Sequence, residues 1–145
     1  MKDKLTEPII VSETFNKPIH EVWAAITEWK HMTKWYFSNI PAFEAKVGFE
    51  TQFPVQSAER TFTHIWKVIE VIVNEKIAYE WTFEEYPGSS ISHFELTRTN
   101  NLTELKLICT TEKNFPDHIP EFKRESGVEG WTYLINKNLK EYLEM

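Results

Sequence analysis

The stretch that decides the fold is residues 126–143, SGVEGWTYLINKNLKEYL. Its apolar side chains recur every three or four positions, at Val128, Trp131, Leu134, Ile135, Leu139 and Tyr142. This spacing predicts an amphipathic helix whose apolar face packs on a partner, with Lys137, Lys140 and Glu141 on the opposite face. The C-terminal part of the chain is therefore predicted to form a long helix.

Two sequence patterns give different predictions for the residue at which this helix begins. Ser126 to Glu129 has the form of a capping box, whereas Pro120 is suited to the first turn of a helix that begins six residues earlier. Gly127 and Gly130 each cost roughly 1 kcal/mol inside a helix. The two glycines therefore indicate a kink or a close approach of the backbone to a neighbour.

Residues 43–111 have the pattern of β-strands separated by turn residues. The expected breaks are Gly48, Pro54, Asn74-Glu75, Pro87-Gly88-Ser89 and Asn100-Asn101. The clearest hairpin joins residues 91–99 to residues 102–111, because asparagine tolerates the positive φ of a tight turn. In both strands apolar residues alternate with polar ones, so each strand has one buried and one exposed face.

Before these strands lie one further strand and two short helices. The β-branched run Ile9–Phe15 predicts the strand, and the spacing of Ile19, Val22, Trp23 and Ile26 predicts a helix after Pro18. A second helix is expected over residues 28–35. The fold class is thus α+β, with residues 1–145 forming a single domain.

Composition and charge exclude several classes of function. The chain carries 16 basic and 22 acidic residues, a net charge of −6 that disfavours binding to nucleic acid. The single cysteine, Cys109, leaves no internal disulfide and fits a reducing compartment. No apolar run approaches the length of a membrane span, and the first residues have no apolar core of a signal peptide. We therefore expect a cytoplasmic protein.

Six Trp, five Tyr and ten Phe make up 14% of the residues, a surplus that indicates a wide space or a pocket lined by rings. No glycine-rich phosphate loop, nucleophile elbow or His-Glu-x-x-His motif is present. The sequence therefore predicts no cofactor.

Several segments, in this order, carry a resemblance to a known family. They are residues 15–18, 22–27, 35–37, 68–71, 76–81 and Gly130-Trp131 followed by Leu134 and Leu139. Their order and spacing resemble the START-like (SRPBCC) helix-grip superfamily. Within it, the chain is similar to the branch named after activators of the heat-shock chaperone ATPase.

The resemblance implies a seven-stranded antiparallel sheet that curves around the C-terminal helix, with the two short helices closing one end. It also implies a cavity between that helix and the sheet, often holding a lipid-like or polyketide-like molecule. It implies no fixed catalytic set. One departure is Trp66, where relatives often have a glycine, because this side chain is large enough to fill part of the cavity.

We predict that aromatic and apolar side chains form the pocket wall. These candidate ligand-binding residues are Trp35, Phe37, His64, Tyr79, Trp81, Phe94, Trp131 and Leu134. Glu13 is a candidate polar contact, since alternation places it inward with Val11 and Phe15, although the end of a twisted strand would also let it reach solvent.

A metal site is not expected. His64, His93 and Glu95 would have to share one face of the sheet, but Phe94 rather than His93 is predicted to point inward. Cys109 is interpreted as an inert core thiol, because no base accompanies it in the sequence. No catalytic residue is therefore assigned.

Three functions stay open. The chain could bind an apolar small molecule, catalyse a cyclase-type or hydrolase-type reaction on such a molecule with Glu13 or His64 as acid–base, or act as a partner of the heat-shock chaperone. Binding ranks first because the aromatic surplus and the inferred cavity support it. The sequence is compatible with a homodimer and names no ligand.

Overall fold

The computed structural model describes residues 7–144. Strand β1 (Ile9–Phe15) is followed by helices α1 (Ile19–Thr27) and α2 (Trp29–Trp35). Five more strands complete the sheet: β2 (Glu50–Ser57), β3 (Arg60–Ile72), β4 (Lys76–Phe83), β5 (Tyr86–Thr99) and β6 (Leu102–Lys113). The expected α+β order of strand, two helices, strands and terminal helix is confirmed.

The C-terminal helix begins at Arg124, between the two starts that the sequence left open. Residues Pro120–Phe122 form a separate 3₁₀ turn, and Lys123 is extended (φ −69°, ψ 150°), which separates that turn from the helix. The α-helical part, Arg124–Thr132, continues into a π-helical segment, Tyr133–Leu139, and a last α-helical turn, Lys140–Leu143.

The π-helical segment changes which side chains of this helix are buried. Trp131, Ile135 and Leu139, each four positions apart, are buried, whereas Val128 is 38% exposed. An α-helix turns once in 3.6 residues, so residues four apart drift around it, while the wider π turn brings them back into line. The predicted apolar stripe is correct in its centre but wrong at Val128, which lies in the α-helical part before the π-helical segment.

The sheet is antiparallel throughout, with strand order β1-β6-β5-β4-β3-β2. It has six strands rather than the seven that the resemblance implies. Two of the breaks expected from the sequence also lie inside strands. Pro87-Gly88-Ser89 belongs to β5, and Pro54 lies in the edge strand β2, where a missing N–H costs no ladder bond. The hairpin at Asn100 is confirmed, with φ of 57° at that residue. No helix within residues 7–144 has the length and apolar character needed to cross a bilayer.

Polar side chains of the C-terminal helix cover the free edge of β1. Arg124 donates to the carbonyl oxygens of Glu7 and Pro8, Asn136 to that of Ser12 and Lys140 to that of Thr14. These carbonyls would otherwise be open to another strand. The helix is thus fixed to the sheet edge as well as to the sheet face.

Removing one of these donors tests the attachment. Asn136 Nδ2 lies 2.8 Å from the Ser12 carbonyl oxygen and 3.1 Å from Glu13 Oε1. We expect Asn136→Ala to lower the free energy of unfolding in urea by about 1 kcal/mol, the net value of one such hydrogen bond. Asn136→Asp should lower the free energy of unfolding further, because its carboxylate would face both the Ser12 carbonyl oxygen and the Glu13 carboxylate. Equal stability of Asn136→Ala and the wild type would contradict the attachment.

Candidate functional site

Aromatic rings from the helix and the sheet meet in the middle of the molecule. Ring centroids of Trp131 lie 5.7 Å from Trp81 and 5.8 Å from Phe94, both edge to face. Tyr36, which follows α2, lies between the two walls, 6.2 Å from Trp131 and 5.0 Å from Trp66. The central part of the cavity that the sequence indicated is therefore filled by the protein's own side chains.

The Tyr36 ring is fixed by a hydrogen bond between two buried phenols. The hydroxyl oxygens of Tyr36 and Tyr79 are 2.7 Å apart. Burial raises the pKa of Tyr36 well above its ordinary value, and burial likewise raises the pKa of Tyr79. Both phenols therefore stay neutral, and one can donate to the other.

Trp66 fills the space opposite Tyr36. Its side chain is fully buried, with ring centroids 4.9 Å from both Phe53 and Tyr79 and 5.2 Å from Trp81. Where the sequence left open whether Trp66 would fill the cavity, the structure shows that it does.

A smaller pocket of about 180 Å³ lies at the N-terminal end of the C-terminal helix, between that helix and the sheet. Five aromatic side chains contribute to its walls. The lining residues from the sheet are Ile9, Trp81, Phe83, Ser90, Cys109 and Thr111. The lining residues from the chain around the helix start are Phe115, Glu121, Phe122, Lys123, Arg124, Gly127 and Trp131, and Glu7 completes the rim.

Two aromatic clusters meet at this pocket. The inner one, around Tyr36, contributes Trp81 and Trp131. The outer one contributes Phe83, Phe115 and Phe122, in which the Phe115 and Phe122 rings stack 4.9 Å apart. Ring walls on both sides make the pocket suited to an apolar occupant.

The polar groups of the pocket divide between its two ends. At the buried end Ser90 is 7% exposed and Cys109 is half-buried. Burial raises the pKa of the Cys109 thiol, and Ser90, Trp131 and Ser92 offset only part of that shift, so the thiol stays protonated. At the rim, Lys123 is exposed and Glu121 accepts hydrogen bonds from Ser57 and Arg60.

Comparison with known proteins places the chain in a family. The sequence model described as "Activator of Hsp90 ATPase homolog 1-like protein" matches residues 16–144. The chain belongs to this family. No curated protein matches the sequence.

Solved structures of this fold share little sequence with the family member described here. A protein from Chromobacterium violaceum is 20% identical, with a TM-score of 0.78 and coverage of 96% of this chain and 98% of that one. The Aha1 dimer from Colwellia psychrerythraea is 17% identical, with a TM-score of 0.75 and coverage of 95% and 96%. DynU16, from the dynemicin biosynthetic locus, is 20% identical, with a TM-score of 0.76 and coverage of 96% and 48%. These likenesses show the fold.

Only two of the predicted pocket residues, Trp81 and Trp131, line the pocket. The others pack within or against the core instead. These residues are Trp35, Phe37, His64, Tyr79, Phe94 and Leu134. Trp35, for example, stacks on Tyr36 and donates its indole N–H to the Ala25 carbonyl oxygen at 2.7 Å.

Glu13 lies away from the pocket, on the helix-facing side of β1. Its carboxylate accepts from Asn136 and is 3.5 Å from the ammonium of Lys140. The interpretation that it orients a ligand is therefore not supported by its position. Instead it joins the contacts that hold the helix on the sheet edge.

Sequence reasoning missed most of the pocket, although two signals pointed to it. Gly127 approaches a neighbour closely, since an added Cβ would lie 3.0 Å from Ile9 Cδ1, whereas Gly130 has open space. Gly88, with φ of 117°, lies against the Phe115 ring, where an added Cβ would come within 2.4 Å. These glycines mark the positions where the helix start and the segment before it pack against the sheet.

His64 occupies an apolar cage on the inner face of the sheet. The Trp81 indole Nε1 donates to His64 Nδ1 at 3.1 Å, which places the imidazole proton on Nε2. Phe53 stacks on the ring at 5.3 Å, and burial lowers the His64 pKa to about 4. His93 and Glu95 alternate with the inward Phe94, and no three His, Cys, Asp or Glu side chains among the described residues are grouped to hold a metal.

The lowered pKa of His64 predicts a loss of stability in acid. The unfolded chain takes up a proton on His64 near the ordinary pKa of about 6.5, while the folded chain resists it down to about 4. Stability should therefore fall as the pH drops through this window. Between pH 7.5 and 4.5 the cost is about 2–3 kcal/mol at roughly 1.4 kcal/mol per pKa unit.

Urea unfolding of His64→Gln and of the wild type at several pH values would measure this effect. We expect the free energy of unfolding of the wild type, relative to that of His64→Gln, to fall by that amount between pH 7.5 and 4.5. His20→Gln, on the surface of α1, is the matched control. A difference that stays constant with pH would mean that the buried imidazole has an ordinary pKa.

Proposed function

We propose that this protein binds a small apolar molecule in the pocket at the N-terminal end of the C-terminal helix. The observation that carries the proposal is the pocket itself, whose ring walls come from Trp81 and Trp131 on one side and Phe83 and Phe115 on the other. Ligand sites are typically apolar clefts with a few placed polar groups. Ser90 and Cys109 supply such groups here.

The volume limits the occupant. Drug-sized ligands need roughly 300–1,000 Å³, whereas an apolar cavity of about 150 Å³ accepts one benzene molecule. At about 180 Å³, this pocket has room for one ring or a short branched chain. A lipid-like or polyketide-like ligand could place only one such group inside, with the remainder beyond the rim.

The other functions have weaker support. An acid–base enzyme would use Glu13 or His64, and neither lines the pocket. A chaperone role is suggested by the family description, and here it is a proposal of second rank, because no feature of residues 7–144 singles out a chaperone contact.

Homodimerisation stays a proposal supported by the Colwellia psychrerythraea dimer. Cytoplasmic location likewise stays a proposal, supported by the single free thiol.

Blocking the pocket provides the test. Thr111 lies at its edge on β6, so Thr111→Phe should place a ring in the space. Benzene and toluene, added to the isotope-labelled wild type, should shift the resonances of the Trp131 indole in heteronuclear NMR spectra. Thr111→Phe should reduce these affinities at least tenfold, because the added ring takes up the volume that the ligand needs.

Thr110→Phe is the matched control. Thr110 precedes Thr111 in the same strand and points to the opposite face, outside the pocket. Its variant should bind as the wild type does. Absence of any saturable shift in the wild type, or equal binding by both variants, would refute ligand binding at this site.

A further inference from the structure

The buried end of the pocket holds a hydroxyl group without a strong partner. Ser90 lines the pocket, is 7% exposed, and has the Cys109 thiol as the polar group acting with it among the described residues. A thiol sulfur is only a weak acceptor. Buried hydroxyls normally make a full hydrogen bond. With only the weak thiol contact, Ser90 Oγ therefore has capacity for a further partner inside the pocket.

A second hydroxyl on the same face of β5 also lacks a strong partner. Ser92 is fully buried, and its Oγ makes no full hydrogen bond among the described residues, with the Cys109 thiol as the polar group acting with it. Ser92 pairs with Cys109 across β5 and β6, and Ser90 pairs with Thr111. The sheet side of the pocket therefore carries neutral polar groups at Ser90, Cys109 and Thr111, and Ser92 lies beside them outside the lining.

This end carries no charge to match an ion. The basic residues of the pocket, Lys123 and Arg124, are both at its rim, where Arg124 donates to the carbonyl oxygens of Glu7 and Pro8. A carboxylate buried beside Ser90 would lose its hydration without gaining a counter-charge, which is costly. A neutral hydroxyl can both donate to and accept from the serine.

We propose that Ser90 sets the specificity of the pocket for a neutral, single-ring aromatic molecule that carries a hydroxyl group, that is, a simple phenol. The ring would lie between Trp81, Phe83 and Trp131, with its hydroxyl on Ser90 Oγ. This inference rests on the proposed ligand binding and names the chemical class of the ligand.

Three probes of similar size separate the alternatives: benzene, phenol and benzoate. Their affinities for the full chain are measured by the shift of the Trp131 indole resonance during titration. One neutral hydrogen bond is worth about 0.5–1.5 kcal/mol, so phenol should bind about 2- to 12-fold more tightly than benzene. Benzoate should bind more weakly than phenol.

Ser90→Ala removes the hydroxyl and keeps the pocket shape. We expect the preference for phenol over benzene to disappear, so that this variant binds the two probes with equal affinity. Ser12→Ala, on the exposed face of β1, is the matched control and should retain the preference for phenol. If Ser90→Ala does not fold, Ser90→Cys, which is close to serine in shape and only a weak donor, should show the same loss.

The possible results distinguish the role assigned to Ser90 from the proposed ligand binding on which it rests. If none of the probes binds, ligand binding in this pocket fails as well. If benzene binds and phenol gains nothing, or if Ser90→Ala keeps the preference for phenol, only the assignment to Ser90 is overturned. Tighter binding of benzoate than phenol would place the polar group at the rim, near Lys123, and would also overturn it.

Discussion

The rest of the structure depends on the insertion of the Tyr36 ring between the C-terminal helix and the sheet. Its hydroxyl is 2.7 Å from that of Tyr79, and its ring stacks on Trp35 with centroids 4.6 Å apart. A buried phenol needs a polar partner, and Tyr79 on β4 supplies it. Because Tyr36 directly follows α2, this one contact fixes the short helices, the sheet and the terminal helix relative to each other.

This insertion explains where open space remains. Tyr36 and Trp66 fill the centre of the space between the C-terminal helix and the sheet. Open space remains beyond Trp81, where the outer cluster of Phe83, Phe115 and Phe122 forms the facing wall. The cavity that the resemblance implied is thus replaced here by a pocket of about 180 Å³.

Much of the fold could be predicted from the sequence, because it depends on local patterns. Alternation correctly assigned Phe94 to the inner face and His93 to the outer one. The asparagine turn at Asn100 and the two short helices also follow from local chemistry. The breaks expected at Pro54 and at Pro87-Gly88-Ser89 were wrong because Pro and Gly also occur inside strands, where Gly88 makes a contact with the distant Phe115.

The site was harder to predict for a physical reason. The alternation of side chains along a strand identifies which of them point inward. It does not reveal whether rings from the sheet and from the C-terminal helix touch each other. Tyr79, Phe94 and Trp131 all point inward as expected, and they pack against one another instead of enclosing a ligand. The π-helical segment that aligns Trp131 with Ile135 also has no signature in the spacing of apolar residues.

Crystals of the protein pressurised with xenon would test most directly whether the centre is filled and the outer pocket is open. Xenon occupies dry apolar cavities and is visible through its scattering. We expect a xenon atom bounded by Trp81, Phe83 and Trp131, with none between Tyr36 and Trp66. Xenon bound among the rings around Tyr36, with the outer pocket unoccupied, would contradict the filled centre on which the pocket assignment depends.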